Sequence, residues 1–256
     1  MPSRELEERY VLPKGPMLPQ PTLPPVPLQR LPAPKHWLAV GLMLVAVVIA
    51  VGLAVQVVPG FTSAELTVDQ NFSRNHNPVL TGLALAFNLL FEPVVGAMVV
   101  LATSLYLLLI RRSPQKAVLF ALTVGSGWLS CQLFKVVIGR IRPDPALLLD
   151  PLAPEPVSNS FPSGHTCLAV ALALAAYFVA RGTRVEKPVL WTGMILAVIV
   201  GWSRVYIGAH YPLDVMASFP ATIGVVVLMA GLWNRQAPSI VARFQSARDR
   251  RATMDS

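Results

Sequence analysis

Three short stretches of the chain combine cationic, imidazole and carboxylate side chains at spacings that suit phosphate chemistry. They are Lys135-(six residues)-Arg142-Pro143, Pro162-Ser163-Gly164-His165 and Ser203-Arg204-(five residues)-His210-(three residues)-Asp214. Each lies at the end of a strongly apolar run, where a charged residue is costly unless it is solvated or used. Converging cations suit a phosphate, and a histidine followed one helical turn later by a carboxylate suits an oriented nucleophile.

The first stretch supplies two positive charges. Lys135 and Arg142 are seven positions apart, about two helical turns, so a continuous helix would put them on one face. Because Pro143 disfavours helix in the residue before it, we expect the helix to end there. Arg can clamp two phosphate oxygens, whereas Lys acts as a point charge. The alternative is that both side chains only reach towards lipid headgroups, and for Arg140 this is the favoured interpretation.

The second stretch opens an apolar run. Ser163 is a suitable N-cap, and Gly164 lets a ligand approach the backbone closely. The free amides of the first turn and the positive end of the helix dipole then form an anion site. His165 lies in that turn, where it can protonate a leaving oxygen. Alone, this motif would be better explained as an ordinary capped helix with an interfacial histidine.

The third stretch pairs a histidine with a carboxylate. His210 and Asp214 are spaced to share a helix face, and Pro212 between them fits a first helical turn. A carboxylate that accepts from one imidazole nitrogen selects the tautomer and leaves the other nitrogen available to attack. The competing interpretation of Asp214 is a membrane-edge carboxylate that faces water.

In this order, the three stretches resemble the signature of the type 2 phosphatidic acid phosphatase superfamily, which also includes the vanadium haloperoxidases. The resemblance runs from about Asp69 to Trp233, all three motifs are complete, and Arg140 has no place in the pattern. It implies that His210 is the nucleophile. It also implies a phosphate-binding set formed by Lys135, Arg142, Ser163, Gly164 and Arg204. With three cations in the site, we expect no metal or other cofactor.

Composition independently places the chain in the membrane. It has 256 residues, of which 54% are hydrophobic and only 13% charged, with a mean hydropathy of +0.57. Soluble domains average about a quarter charged residues. The net charge of +8 is spread between apolar runs and forms no basic face, so nucleic acid is a poor candidate partner. A soluble haloperoxidase is excluded by the same apolar runs, and the expected partners are the bilayer and a lipid phosphate.

The apolar runs predict an all-α polytopic membrane protein, and the resemblance implies a helical core like that of the acid phosphatases and vanadium haloperoxidases. Six spans are predicted: Trp37–Val58, Pro93–Ile110, Ala117–Ile138, His165–Ala180, Val189–Val205 and Val215–Trp233. The domain prediction is a disordered proline-rich tail over 1–35, a membrane domain over 36–234 and a basic tail over 235–256. Val79–Phe91 is predicted to be a helix in the membrane interface or packed under the outer face, and Asp144–Phe161 is either a rim of the site or a connector.

Basic residues set the predicted orientation. Those assigned to the cytoplasm are Arg30, Lys35, Arg111, Arg112, Lys116, Arg181, Arg184, Lys187, Arg235, Arg243, Arg248, Arg250 and Arg251. The opposite side receives only Arg74, Lys135, Arg140, Arg142 and Arg204. The positive-inside rule then puts both termini in the cytoplasm and the site on the outer face of the cell membrane.

The sequence therefore predicts a phosphatase that acts on a lipid phosphate or diphosphate at the outer leaflet. Candidate substrates are polyprenyl diphosphate, polyprenyl-linked sugar phosphate, phosphatidylglycerol phosphate and phosphatidic acid. Two alternatives stay open, a phosphotransferase that uses the same histidine and a non-catalytic lipid-binding or transport protein. His36 and His76 are interpreted as an interfacial anchor and a loop residue. Cys131 and Cys167 are interpreted as small hydrophobes, with a disulfide between them left open.

Overall fold

The computed structural model of the protein describes residues 30–153 and 158–254. Its regular structure in those ranges is helical, as predicted. The α-helices are α1 (Trp37–Val57), α2 (Phe61–Arg74), α3 (Pro78–Leu90), α4 (Pro93–Leu105), α5 (Pro114–Ile138), α6 (Gly164–Ala180), α7 (Glu186–Tyr206) and α8 (Pro212–Met254). A π-helical turn over Tyr106–Ile110 continues α4, and a short 3-10 turn spans Pro145–Leu147.

Five helices of the described chain are long and apolar enough to cross a membrane. They are α1, α4 with its π turn, α5, α7 and the Pro212–Ala237 part of α8. The predicted fourth span is found as α6, but this helix has only 17 residues. At 1.5 Å per residue it is about 25 Å long, short of the roughly 30 Å hydrocarbon core. Six crossings are therefore not established by helix length.

The short helix α6 is the centre of the bundle. It packs against α5, α7 and α8, and nine of its residues are buried, among them Leu168, Val170 and Phe178. By contrast α1 leaves large apolar side chains exposed, such as Leu38 and Met43. Because α6 meets protein on most sides, its position depends on packing against its neighbours more than on contact with lipid.

Four helix ends meet at one end of the bundle, because α5 and α7 end where α6 and α8 begin. A close contact between α7 and α8 supports this arrangement. A Cβ atom placed on Gly201 would lie 2.4 Å from Val215 Cγ1, so only glycine fits there. The C-terminal turn of α7 and the N-terminal turn of α8 are thereby brought together, and both carry motif residues.

Helix α5 ends where the predicted third span ends, but before the end expected from Pro143. Gly139 adopts a left-handed φ of 66°, and its amide bonds to Lys135 O at 2.9 Å, so the helix stops at Ile138. The helix is therefore not continuous to Arg142, and Lys135 and Arg142 do not share a helix face. Arg142 is reached through an extended segment, in which Ile141 forms an antiparallel bridge with Asn159.

The segment between α1 and α4 holds two helices. The predicted interfacial helix over Val79–Phe91 is found as α3, which begins where Asn77 Oδ1 accepts from the amides of Val79 and Leu80. Helix α2 was not predicted. Its sequence is largely polar, yet it buries Glu65 and Asp69 against the rest of the protein.

The predicted N-terminal tail lies mostly outside the described residues. Leu31, near its end, is nevertheless buried, and its amide and carbonyl both bond to the Asn234 side chain at 2.8 Å. The chain thus contacts α8 before α1 begins. At the other terminus, α8 continues as helix through the predicted basic tail to Met254.

Candidate active site

A cavity of about 570 Å³ opens where these helix ends meet. It is lined by Asn88, Phe91, Glu92, Pro93, Trp128, Leu129, Gln132, Lys135, Arg142, Ala153, Gly164, His165 and His210. Five of the eight predicted site residues are in this wall. The other three, Ser163, Arg204 and Asp214, lie behind it and have no exposed surface. The three motifs, separate in sequence, therefore form one site.

His210 lies between a carboxylate and a guanidinium. Its Nδ1 lies 3.4 Å from Asp214 Oδ2, and its Nε2 lies 3.2 Å from Arg142 Nη1. A guanidinium can only donate, so Nε2 must be the unprotonated nitrogen and Nδ1 must carry the hydrogen. In this tautomer the lone pair is on Nε2, the nitrogen on the side of Arg142 and the cavity. The predicted partners His210 and Asp214 are therefore neighbours in the structure, and their catalytic roles stay a prediction.

Electrostatics also favours a neutral His210. Burial lowers the pKa of this imidazole well below its ordinary value, and the positive charges of Arg142, Arg204 and Lys135 lower it further. A neutral imidazole retains the lone pair that an attack on phosphorus requires.

His165 is held differently. Its Nε2 lies 3.2 Å from the backbone carbonyl oxygen of Asn88. A carbonyl only accepts, so Nε2 carries a hydrogen and Nδ1 is the nitrogen that exchanges protons with other partners. The residue sits in the first turn of α6 beside Gly164, and both line the cavity.

Asn88 is a site residue that sequence reasoning missed. Besides its carbonyl contact with His165, its Oδ1 accepts from Arg204 Nη1. Asn88 is one of only two polar side chains, with Thr81, in the apolar run 79–91. That isolated amide was the signal that could have drawn attention to it. Helix α3 therefore contributes directly to the site.

Arg142 is anchored by the chain on either side of it. Its Nη1 donates to Ala209 O at 3.0 Å, and its Nε donates to Ser158 Oγ at 3.2 Å. Ser158 follows the proline-rich connection, and Ala153 of the same connection lines the cavity. The 144–161 segment therefore forms part of the rim, which favours the first of its two interpretations.

Ser163 occupies the N-cap position of α6 but does not cap the helix with its side chain. Its Oγ accepts from Thr166 Oγ1 at 3.1 Å. Its amide lies 3.0 Å from Ser218 Oγ and 3.1 Å from Asp214 O. The predicted N-cap position is therefore confirmed without the side-chain hydrogen bond, and Ser163 instead ties the start of α6 to the first turns of α8. Its contact with phosphate stays a prediction.

The interpretation of Arg140 as a lipid-facing side chain is wrong. The residue is 2% exposed and donates through Nη1 to Asp214 Oδ1 at 2.7 Å. Through Nη2 it pairs with Glu65, and its guanidinium lies 4.3 Å from the ring centroid of Tyr211. Helix α5 ends before Arg140, so the chain can turn this side chain inward. There it meets the carboxylate that orients His210.

The remaining conspicuous residues of the described chain form no cluster of metal-ligand type. Within residues 30–153 and 158–254, no group of three His, Cys, Asp or Glu side chains is arranged to bind one. His76 Nδ1 pairs with Asp150 at 2.9 Å, which ties the α2–α3 connection to the rim segment. Cys131 and Cys167 are buried free thiols, so the disulfide left open by the sequence is not formed.

Comparison with known proteins gives consistent likenesses. A family model described as the PAP2 superfamily matches residues 116–239. Undecaprenyl-diphosphatase BcrC of Bacillus subtilis (strain 168) is 31% identical over 58% of this chain and 72% of its own length. Phosphatidylglycerophosphatase B of the same organism is 34% identical over 47% of this chain and 59% of its own length.

A solved structure supports the fold. The crystal structure of a transmembrane PAP2-type phosphatidylglycerolphosphate phosphatase from Bacillus subtilis superposes with a TM-score of 0.63 at 23% identity. The match covers 79% of this chain and 98% of that one. Together, the likenesses confirm the predictions of a multi-pass membrane protein and a phosphatase. Because the matched segment contains all three motifs and a relative is aligned over most of its length, the chain belongs to the PAP2 superfamily.

Proposed function

We propose that the protein removes phosphate from a lipid phosphate or lipid diphosphate through a phosphohistidine formed on His210. The observation that carries the proposal is the orientation of this side chain. Asp214 faces its Nδ1, and Arg142 lies at its Nε2, beside the cavity. A lipid-binding protein has no need of an imidazole whose lone pair is directed to the position where an anion would bind.

In the first step, Nε2 of His210 attacks phosphorus in line with the departing oxygen. The N–P bond forms as the bond between phosphorus and the lipid or diphosphate oxygen breaks. His165 takes up a second proton as the phosphate binds and gives its Nδ1 proton to that oxygen, while Asn88 O retains the Nε2 hydrogen. The charge on the equatorial oxygens is balanced by Lys135 and Arg142, with Arg204 behind them.

In the second step, water hydrolyses the phosphohistidine. His165, now neutral at Nδ1, accepts a proton from the attacking water, the N–P bond breaks and phosphate leaves. The amides of the first turn of α6 supply further positive potential near Gly164, so the mechanism needs no metal. Each histidine ends the cycle in its starting protonation state once His165 releases that proton as the phosphate leaves.

The proposed substrate class follows from the cavity wall. Cations line one part of it, while Phe91, Trp128 and Leu129 line another, which suits a charged phosphate on an apolar chain. Two of the matched relatives are named for undecaprenyl diphosphate and phosphatidylglycerophosphate substrates. We place polyprenyl diphosphates first among the candidates, followed by phosphatidylglycerol phosphate, polyprenyl-linked sugar phosphate and phosphatidic acid.

A membrane topology completes the proposal. Helix α6 would make the sixth crossing within the bundle, with both termini in the cytoplasm and the cavity outside, as the basic residues indicate. Cysteine placed at Ser158, beside Arg142, should react with a membrane-impermeant thiol reagent in intact cells, and cysteine at Ser113 should not. Native Cys131 and Cys167 are buried and give little background. The opposite pattern would reverse the orientation.

Activity is tested with purified full-length protein and a panel of the four candidate lipid classes. Release of inorganic phosphate in excess chelator, without an added acceptor, is the expected result. Release only when an acceptor alcohol is present would favour the phosphotransferase alternative, because the same phosphohistidine would then pass its phosphoryl group to a hydroxyl. Binding without release, with all motif residues intact, would favour a lipid-binding protein.

A further inference from the structure

A buried charged layer lies behind His210, on the side away from the cavity. Arg140 donates to Asp214 Oδ1 at 2.7 Å and also pairs with Glu65. Glu65 in turn accepts from the amide of Leu213 at 2.7 Å through its other oxygen. Glu65 and Arg140 are 8% and 2% exposed, and Asp214 is fully buried.

The two oxygens of the Asp214 carboxylate have separate partners. Oδ1 is held by Arg140, whereas Oδ2 accepts from the amide of Tyr211 at 3.1 Å and faces His210 Nδ1. A carboxylate on a rotatable side chain would otherwise share both oxygens among these donors. The guanidinium at Oδ1 therefore leaves Oδ2 directed at the imidazole.

Glu65, which lies in α2, contacts the first turn of α8. Leu213 is the second residue of α8, and its amide has no partner within the helix. A carboxylate there satisfies that amide and interacts favourably with the positive end of the helix dipole. Glu65 thereby connects the start of α8 to Arg140, and both connections converge on the turn that carries His210 and Asp214.

We propose that Arg140 and Glu65 are a positioning pair that holds Asp214, and through it His210, in the attacking orientation. The proposal rests on the nucleophilic role of His210 given above. Glu65 lies in α2, outside the segment matched by the family model. With this pair, a helix that carries none of the three motifs, α2, also supports the site.

Asp69 provides a matched control in the same layer. It is fully buried, and neither carboxylate oxygen has a hydrogen-bond partner. Burial, with further contributions from Asp214 and Glu65, raises the pKa of Asp69 to about 8, so it is neutral at pH 7. Asp69→Asn replaces a neutral acid by an amide of the same shape, and we expect it to retain wild-type activity.

The test separates positioning from folding by comparing single and double variants. Arg140→Met leaves two buried carboxylates without their cation, so loss of both stability and activity is expected. Glu65→Leu with Arg140→Met removes both charges of the pair and should restore much of the stability. Its kcat on farnesyl diphosphate should stay about 10- to 100-fold below wild type, with KM little changed, because Asp214 is still not held.

The pH profile gives a second readout that a purely structural role would not move. The charged and titratable groups around His210 are Asp214 on α8, Lys135 on α5, Arg142 in the α5–α6 connection, Arg204 on α7 and His165 on α6. Removing Arg140 alone leaves Asp214 uncompensated, which raises the pKa of His210. The acid limb of kcat/KM should therefore move to higher pH in Arg140→Met and, by a smaller amount, in the double variant, and it should stay in place in Arg140→Lys, which keeps the cation.

The outcomes distinguish this inference from the proposed function. If wild type releases phosphate and the stable double variant does so at the wild-type rate, the pair is structural and the inference is wrong. If wild type releases none, the proposed function fails, and orthovanadate binding then decides the inference. Vanadate affinity, followed by tryptophan fluorescence, should fall about tenfold in the double variant and stay unchanged in Asp69→Asn. Equal affinities would overturn it.

Discussion

The two histidines of the site lie next to different kinds of acceptor. His210, before α8, faces the carboxylate of Asp214, which a buried arginine holds in turn. His165, at the start of α6, donates to the main-chain carbonyl of Asn88. A carboxylate stabilises the positive charge that an imidazole acquires on forming a bond to phosphorus. A neutral carbonyl holds the ring in place but leaves it free to gain and lose a proton.

The two different acceptors suit the separate tasks that the proposed mechanism gives to His210 and His165. The half of the site around His210 is buried and is tied to α2 through Glu65. The half around His165 opens on the cavity and is tied to α3. In the proposed mechanism, the nucleophile keeps one orientation through both steps, whereas the acid–base residue reaches first the leaving group and then water.

The largest expected effect is at the nucleophile. His210→Ala should abolish turnover, because it removes the attacking nitrogen. No covalent phosphoenzyme should be found when a reaction with labelled substrate is quenched in alkali. Asp214→Asn is the comparison, since it retains the nucleophile and should form phosphoenzyme slowly. A labelled protein in His210→Ala would show that another side chain attacks.

The second effect concerns proton transfer at the other histidine. His165→Ala should slow hydrolysis of a simple lipid phosphate by about 10²–10⁴. An aryl phosphate departs with less need of a proton, so it should recover much of the lost rate in His165→Ala and none in His210→Ala. Losses that are equal in the two variants and independent of the leaving group would remove the distinction between the two halves.

A smaller effect is expected where α3 meets the site. Asn88→Ala retains the carbonyl that holds His165 but removes the amide that accepts from Arg204. We expect KM to rise about tenfold with kcat less affected, because a hydrogen bond to a charged phosphate-binding group is lost. Leu89→Ala, on the same helix and 59% exposed, is the matched control. A fall in kcat alone would mean that the His165 contact was lost instead.

The smallest effect is on stability as a function of pH. Because the folded protein lowers the pKa of His210, the unfolded chain binds a proton near pH 6.5 that the folded chain does not. This term therefore destabilises the fold as pH falls below about 6.5, by at most about 1.4 kcal/mol per pH unit. Thermal unfolding in detergent should show a shallower acid slope for His210→Gln than for wild type. An unchanged slope would mean that other groups cause it.

The sequence by itself determined the helical class, the approximate position of each long apolar helix and the family. These follow from local information. Apolar run length sets where a helix can cross a membrane, and the motifs place the required side chain types at short spacings. Lys135, Arg142, Gly164, His165 and His210 were all found in this way, and the structure puts them in one cavity wall.

The tertiary structure alone decided which side chains stand behind that wall. Arg140 and Glu65 are 75 positions apart, and Asn88 and Arg204 are 116 apart, so no local pattern connects them. The direction of Arg140 depended on Gly139, whose left-handed conformation ends α5 before the motif is complete. A charged side chain next to an apolar run has the same local sequence whether it faces lipid or a buried carboxylate. Only the packing of α2 against the start of α8 distinguishes the two.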